Sequence, residues 1–598
     1  VGVVAGNLNI TDSNIDDNTA EGGALVTDVQ GGKTVSTLGS AGIGGGISDE
    51  YDLGFTTPAV PPSLNILGST IQGNAALGNG PTGAGTGGGL DTANVAVQVA
   101  GSSVSGNQVR GGPGGGFASF STTSGFVITL NSGGGSAQGG GIASTAGSLT
   151  IAGSAIKDNV AQGGPGIVKA VTGSNFFGGS PGSGGSTDGG GIYSSSQTLV
   201  LTLATLSGNQ SLGGTAISGF RNGNGLGDGG ALEMSGDTAT ISGSTFRNNL
   251  ARGGASSSNG GDADGGGAVG FGSSLQLTDS TFTGNEAVSN DVTQGGGLAI
   301  FETSGTISNT LFTGNLAQGA GEGVGGGLDV VAFNSNTGAT LTVNNCGFVQ
   351  NTAQGGGDGE GGGMFVSGQT TMSIQSSTFV ADKAVGGDNQ FEGGGGFALG
   401  GGLDIDAKST VQVSNCSFRL DAALGGNGGA GSSGAGGFAQ GGGVNVDFGS
   451  TATISDAVFF ANLAQGGAGG AGAGGAAGGA GGDGQGGGLC NSGATTTVSD
   501  SSFILNAAVG GDGAPGGNGG NGQGGGLFND ASTSFGTSSL TLQGCLVTLN
   551  EADGGTAGTG GSNGQGVGGG VYNLGTLDLV MTLIALNRAS TSNNDIYP

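Results

Sequence analysis

Gly295-Gly-Gly-Leu-Ala-Ile-Phe-Glu-Thr-Ser-Gly-Thr-Ile-Ser-Asn-Thr-Leu-Phe-Thr-Gly-Asn315 decides how the rest of the 598-residue chain is read. It opens on a glycine triplet and closes on Phe312-x-x-Asn315. The same unit recurs throughout, and a repeat is the first thing to settle because missing one misassigns the whole fold. Triplets or their variants start at Gly44, Gly87, Gly139, Gly189, Gly229, Gly265, Gly295, Gly325, Gly361, Gly400, Gly441, Gly486, Gly524 and Gly568. Closing residues run from Asn18 and Asn74 to Asn550 and Asn587, with Asp382 and Asp421 in two of the places. In eleven of fourteen units the triplet and the closing residue are 19 to 21 residues apart, whereas the next triplet follows after 10 to 32. A fixed length signals a geometric constraint, and a free one signals surface loops.

Inside the fixed segment the apolar positions are regular. Three residues before the closing position stands Phe in eight units, from Phe246 and Phe282 to Phe459 and Phe503. Eight before it stands Ile, Leu or Val, as at Ile241, Leu277, Ile307, Val343 and Ile374. Short runs with period two, broken by Gly and Asn, read as half-buried strands. We read three per unit. A unit of this size cannot bury a core alone, but stacked copies can. The fold class that follows is all-β: a single-stranded right-handed parallel β-helix of about 15 turns, one domain over 1–598, with long Gly-rich loops on one side. Like residues then form columns of Phe, of aliphatics and of Ala (Ala251, Ala287, Ala317, Ala353). The closing Asn is expected to form a ladder at a bend and to supply the left-handed conformation there.

Glycine accounts for 152 residues and proline for 9, without the strict period of collagen. From 425 to 567 the loops run in period three, as in Gly466-Gly-Ala-Gly-Gly-Ala. That is the period of an extended left-handed helix, so these loops either pack side by side as polyglycine strands or behave as flexible linkers. Tyr51 to Pro62, with three prolines, reads as an insertion outside the strands. Cys346, Cys416 and Cys545 occupy a position otherwise held by Ser, Thr or Ala, so they read as small buried residues with no disulfide and no metal role; Cys490 points outward.

The net charge of −29 argues against nucleic acid as a partner, and no apolar run is long enough to span a membrane. Neither end carries a capping pattern, so end-to-end self-association is expected. The pairs Gly229-Gly-Ala-Leu232 with Phe246-Arg-Asn-Asn249, and Gly265-Gly-Gly-Ala268 with Phe282-Thr-Gly-Asn285, resemble the repeat signature of polymorphic outer-membrane proteins and of bacterial-surface β-helix repeats. The resemblance implies an extracellular or cell-surface protein used for adhesion or structure, with a surface or glycan partner. The departures are a third glycine where Ala is usual, and no C-terminal barrel.

For chemistry the sequence offers little. Histidine is absent, which excludes every His-based mechanism. Asp329 and Asp404 share an offset after their triplets, but Phe365 falls between them, and no three carboxylates are seen at one offset. The chain is therefore expected not to be an enzyme, with no catalytic, cofactor or metal residue assigned; the alternative is a polysaccharide lyase or hydrolase, which would need several carboxylates on adjacent turns. Calcium is a possible ligand of Asp188, Asp262-Ala-Asp264 and Asp358-Gly-Glu360. Outward threonines such as Thr240, Thr306 and Thr453 share their face with Gln276, Gln412 and Asp578, too irregular an array for ice.

Overall fold

The computed structural model describes all residues except 1, 4–6, 23–26, 31–32, 37–40, 51–61, 81–82, 115, 121–126, 132, 167–182, 217–224, 256–259, 334–338, 389–392, 432–433 and 532–535. The proline-containing insertion from Tyr51 to Pro61 lies outside the described residues. The fold is a right-handed parallel β-helix built from five parallel sheets of about 15 strands each. Right-handed crossover is the way twisted parallel strands return to their own sheet.

Each turn carries five short strands rather than the expected three. In the turn around Asn351 they are Leu328–Val331, Thr340–Asn344, Gly347–Val349, Thr352–Gly355 and Gly359–Glu360. The fourth and fifth are the difference. The closing Asn separates one strand from the next, and the pair before the triplet, which sequence spacing assigns to the variable loop, is itself paired from turn to turn.

The chain divides into two compact units, Val1–Gln276 with Gly284–Asp291, and Leu277–Thr283 with Val292–Pro598. In the second, Phe282 pairs with Phe312 and Phe312 with Phe348. Their rings stack with centroids 5.0 Å apart in both steps, and the column continues through Phe379, Phe418, Phe459 and Phe503 at 4.3 to 5.0 Å. Strand spacing of about 4.8 Å sets that distance. Phe348 is fully buried. Phe348→Ala therefore removes a ring from between two others that the ladder holds in place, and is expected to cost about 3–4 kcal/mol in chemical denaturation. A cost below about 1 kcal/mol would mean that the column does not carry the core.

The closing residue forms the expected ladder. In the first unit the Asn74 Nδ2 donates to Asn107 Oδ1 (2.9 Å) and to the Ile15 carbonyl (2.9 Å), while the Asn74 backbone N–H also donates to Asn107 Oδ1 (3.0 Å). The pattern repeats through Asn159, Asn209, Asn249 and Asn285. In the second unit it runs from Asn315 to Asn351 and from Asn462 through Asn506 and Asn550 to Asn587. Each amide thus uses its two donors and its acceptor inside a dry bend. The left-handed conformation falls not on the closing Asn but on the residue before it, as at Asp158 (φ 53°), Asn248 (52°) and Gln350 (55°). That frees the Asn side chain for the ladder.

All four cysteines are free and buried. Cys346 Sγ donates to the Asn344 carbonyl at 3.4 Å, the bond that Ser102 Oγ makes to Ala100, and burial pushes its thiol up to about 11. Cys490, expected to face outward, is fully covered by Phe528, Val567 and Tyr572.

The period-three loops pack side by side. Gly437 N–H donates to the Gly426 carbonyl, Gly467 to Gly437, Gly482 to Gly467, Gly511 to Gly482 and Gly520 to Gly511, at 2.8 to 2.9 Å. Within the first unit Gly135, Gly164, Gly185 and Gly214 form the same kind of ladder, each to the one before it.

Candidate functional site

The residue immediately before each glycine triplet lines one column. In the first unit Gln138 pairs with Asp188, Asp188 with Asp228, and Asp228 with Asp264. Three carboxylates at one offset are therefore present, contrary to the sequence reading, which searched the positions after the triplet and not the one before. The triplet then turns the chain sharply: Gly229 has φ 59°, and a Cβ there would lie 2.4 Å from the Leu232 carbonyl oxygen. The corner brings Glu233 back beside the column. One carboxylate oxygen from each of Asp188, Asp228 and Glu233 lies within 4.8 Å of the others. Asp228 and Glu233 are each only 6% exposed. Desolvation first, and then the neighbouring carboxylates, hold both well above the usual carboxylate range, and Asp264 is pushed up to about 8. Gln138 Nε2 donates to Asp188 Oδ2 at 2.8 Å.

The second unit carries a different acidic group at the same corner. Glu360 stands before its triplet in the strand Gly359–Glu360. Asp404 follows the next triplet and pairs with Phe365 on one side and Asn445 on the other. The intervening phenylalanine is thus as the sequence indicated, but Asp404 finds carboxylate neighbours from the side. Asn445 Nδ2 donates to Asp404 Oδ1 (2.9 Å) and to Asp447 Oδ2 (3.1 Å), so one amide joins two acids. Burial, then the charge of Asp404, raises Glu360 well above its ordinary value. Asp447 is raised in the same way by burial and by Asp404, with the Asn445 hydrogen bond opposing. Asp404 itself is pushed up to about 8 by burial and Asp406.

Glu360 and Asp447 line a cavity of about 440 Å³ together with Phe397, Phe438, Phe448 and Gln440. Phe397 and Phe448 are each 40% exposed, and the Phe397 and Phe438 rings stack at 3.8 Å. No Lys or Arg is among the residues lining it. The geometry places two carboxyl groups of raised proton affinity and exposed phenylalanine rings around one cavity. Of the residues considered for calcium, Asp188 and Asp264 fall in the first group, and Asp358 and Glu360 line the cavity of the second. The signal that could have found both groups is the column before the triplet, which reads Gln138, Asp188, Asp228, Asp264, Gln294, Val324, Glu360.

Neither a family model nor a curated protein matches the chain. Solved structures do. The periplasmic alginate epimerase AlgG matches at 9% identity and TM-score 0.29, over 88% of this chain and 80% of that one, and a single-site mutant of it at 12% and 0.30, over 75% and 76%. A tailspike protein of the Acinetobacter baumannii bacteriophage Fri1, a capsular polysaccharide depolymerase, matches at 10% and 0.16, over 64% and 53%. At these scores the likeness is one of fold and transfers no residue. The expectation that the chain is not an enzyme is corrected on its own ground: it rested on finding no three carboxylates at one offset, and Asp188, Asp228 and Asp264 supply them on adjacent turns. Among the described residues no helix is long and apolar enough to cross a membrane.

Proposed function

We propose that the chain is a polysaccharide-acting enzyme of the β-helix type, a glycoside hydrolase whose site is the cleft lined by Glu360 and Asp447, with Asp404 beside it. The observation that carries this reading is the pair of desolvated acids, Glu360 and Asp447, lining one cavity beside exposed phenylalanine rings. Glycoside hydrolysis needs one carboxyl group that holds its proton at working pH and a second that is ionised. Glu360 receives only influences that raise it, so it is the general acid that protonates the leaving oxygen. Burial and Asp404 raise Asp447 as well, but the hydrogen bond from Asn445 opposes them, so it is the carboxyl group assigned to act, once ionised, on the water or the sugar carbon. Asp404 is a positioning residue: it shares the Asn445 amide with Asp447 and, once ionised, holds the proton on Glu360. Phe397 and Phe448 offer flat apolar faces for sugar rings.

A lining that carries carboxylates and no Lys or Arg favours hydrolysis of a neutral glycan over elimination on a uronate, whose carboxylate would need neutralising. A polymer substrate places this activity outside the cytoplasm, which agrees with the acidic surface. The polymorphic outer-membrane type of repeat is compatible with this reading and adds nothing to the site.

The test is release of reducing ends from a panel of neutral and uronate polysaccharides. Glu360→Gln and Asp447→Asn are each expected to lower kcat by about 10²- to 10⁴-fold with little change in KM. The alkaline limb of the pH profile should report loss of the Glu360 proton, and Asp404→Asn should move that limb to lower pH. An active wild type whose rate survives the Glu360→Gln and Asp447→Asn double substitution, or no turnover of any glycan, overturns the reading.

A further inference from the structure

We propose that Asp188, Asp228 and Glu233 form a binding site for one divalent cation, calcium in preference to magnesium. The site lies in the first compact unit and is independent of the cleft assigned above. Its three carboxylates come from three strands in two sheets: Thr187–Asp188, Gly227–Asp228 and Leu232–Ser235. The ladder fixes the backbone of all three, so the ligands are set by register and not by a mobile loop.

Burial selects the ion. Asp228 and Glu233 are each 6% exposed, and magnesium keeps several of its waters and demands near-ideal octahedral geometry, whereas calcium accepts flexible coordination by protein oxygens. All three donors are hard carboxylate oxygens, with no nitrogen or sulfur to favour a transition metal.

Clustered acids alone would say little, since acidic side chains commonly sit together in water. Here Asp228 Oδ1 and Glu233 Oε2 are fully withdrawn from solvent and have no hydrogen-bond partner among the described residues, on side chains that are each 6% exposed. Buried polar atoms are almost always partnered, and buried carboxylates without partners are rarer still. Asp264 Oδ1, next in the same column, is also buried without a partner. Every one of these oxygens is an acceptor, so what the group lacks is a positive centre. Among the described residues Gln138 supplies a side-chain donor, to Asp188, and it orients that carboxylate from the turn before.

The measurement is calorimetric titration of the intact chain, stripped with EDTA, with calcium chloride and separately with magnesium chloride at fixed ionic strength. One calcium per chain is expected, with magnesium binding at least tenfold more weakly. Asp228→Asn and Glu233→Gln, close in shape to the native residues, should each weaken calcium by tenfold or more, while Glu360→Gln leaves it unchanged. Circular dichroism of each variant establishes that the strands persist. If calcium up to 10 mM gives no saturable heat and no rise in melting temperature, the site does not exist. Binding that survives the Asp228→Asn and Glu233→Gln double substitution undiminished refutes it equally, because the ion would then sit elsewhere.

Discussion

Replacing Asp382 and Asp421 together with Asn is expected to stabilise the protein at pH 7, by about 2–4 kcal/mol at Asp382 and by a further gain of the same sign at Asp421. These two residues stand where every other described turn of their ladder has Asn. Asn351 donates to Asp382 Oδ1 from its backbone N–H (2.7 Å) and from Nδ2 (2.9 Å), as it would to an amide. On the far side the roles fail. An Asn would donate onward from Nδ2, but Asp421 presents a second oxygen there, Oδ2, which is buried with no partner among the described residues, while Asp382 Oδ2 is left to accept from the Val380 N–H at 3.3 Å. Only the protonated acid can donate. Burial accordingly pushes Asp382 up to about 8, and burial together with the charge of Asp382 holds Asp421 well above its ordinary value. The sign follows from proton uptake. Between the unfolded value of 3.8 and the folded value, the native state binds protons that the unfolded state has lost, so stability falls as pH rises through that interval. The wild type should therefore be more stable near pH 4 than near pH 8 as far as these groups are concerned. The doubly substituted protein should lose most of that slope. Urea denaturation at pH 4, 6 and 8 checks both statements; equal slopes for the two proteins would show that the aspartates are ionised and solvated in the native bend.

The repeat was legible in the chain because columns require it. Each Phe, Ala and Asn in the ladder must recur at a fixed offset, since parallel strands put like positions over one another, and Phe282 over Phe312 is what the spacing implied. What could not be read this way was everything whose neighbours come from a different strand of the same turn. Glu233 and Asp228 are five residues apart, and their meeting depends on the sharpness of the corner at Gly229. Asp404 and Glu360 come from consecutive turns and from different sheets. An offset count compares a position only with itself, so it registered Phe365 between Asp329 and Asp404 and saw no group. The strand before the triplet was missed for a related reason. At two residues it is too short to show alternation, and its polar column resembles a loop. Similarly, Cys490 is outward by offset yet buried, because Phe528 and Tyr572 on the following turns stack over it.

Gly467→Ala is expected to undo the packing of the loops between 425 and 567, although it adds a single methyl group. A Cβ at Gly467 would lie 1.9 Å from the Gly426 carbonyl oxygen, and one at Gly437 would lie 1.9 Å from that of Gly396. No side-chain rotation relieves such an overlap, since the obstructing atom is backbone. The strands must separate, and the Gly467 N–H to Gly437 bond (2.9 Å) and the Gly482 N–H to Gly467 bond (2.9 Å) go with them. This is the constraint that holds glycine at the crowded axis of a triple helix, here applied between neighbouring extended strands with three residues per turn. Because each leg bonds to the leg before it and to the leg after, the defect propagates along the array and does not stay in one loop. The β-helix beneath retains its own ladders, so the change is local opening and not global unfolding. Amide hydrogen exchange is the suitable measurement. Protection at Gly437, Gly467, Gly482 and Gly511 should fall by about 10²- to 10³-fold, while the strand Thr451–Ser455 keeps its rate. Ala473→Ser, at an exposed position in the same loop, should change neither. If the loops of the wild type exchange as fast as an unstructured chain, the glycine period reflects flexibility, and Gly467→Ala will have no effect to show.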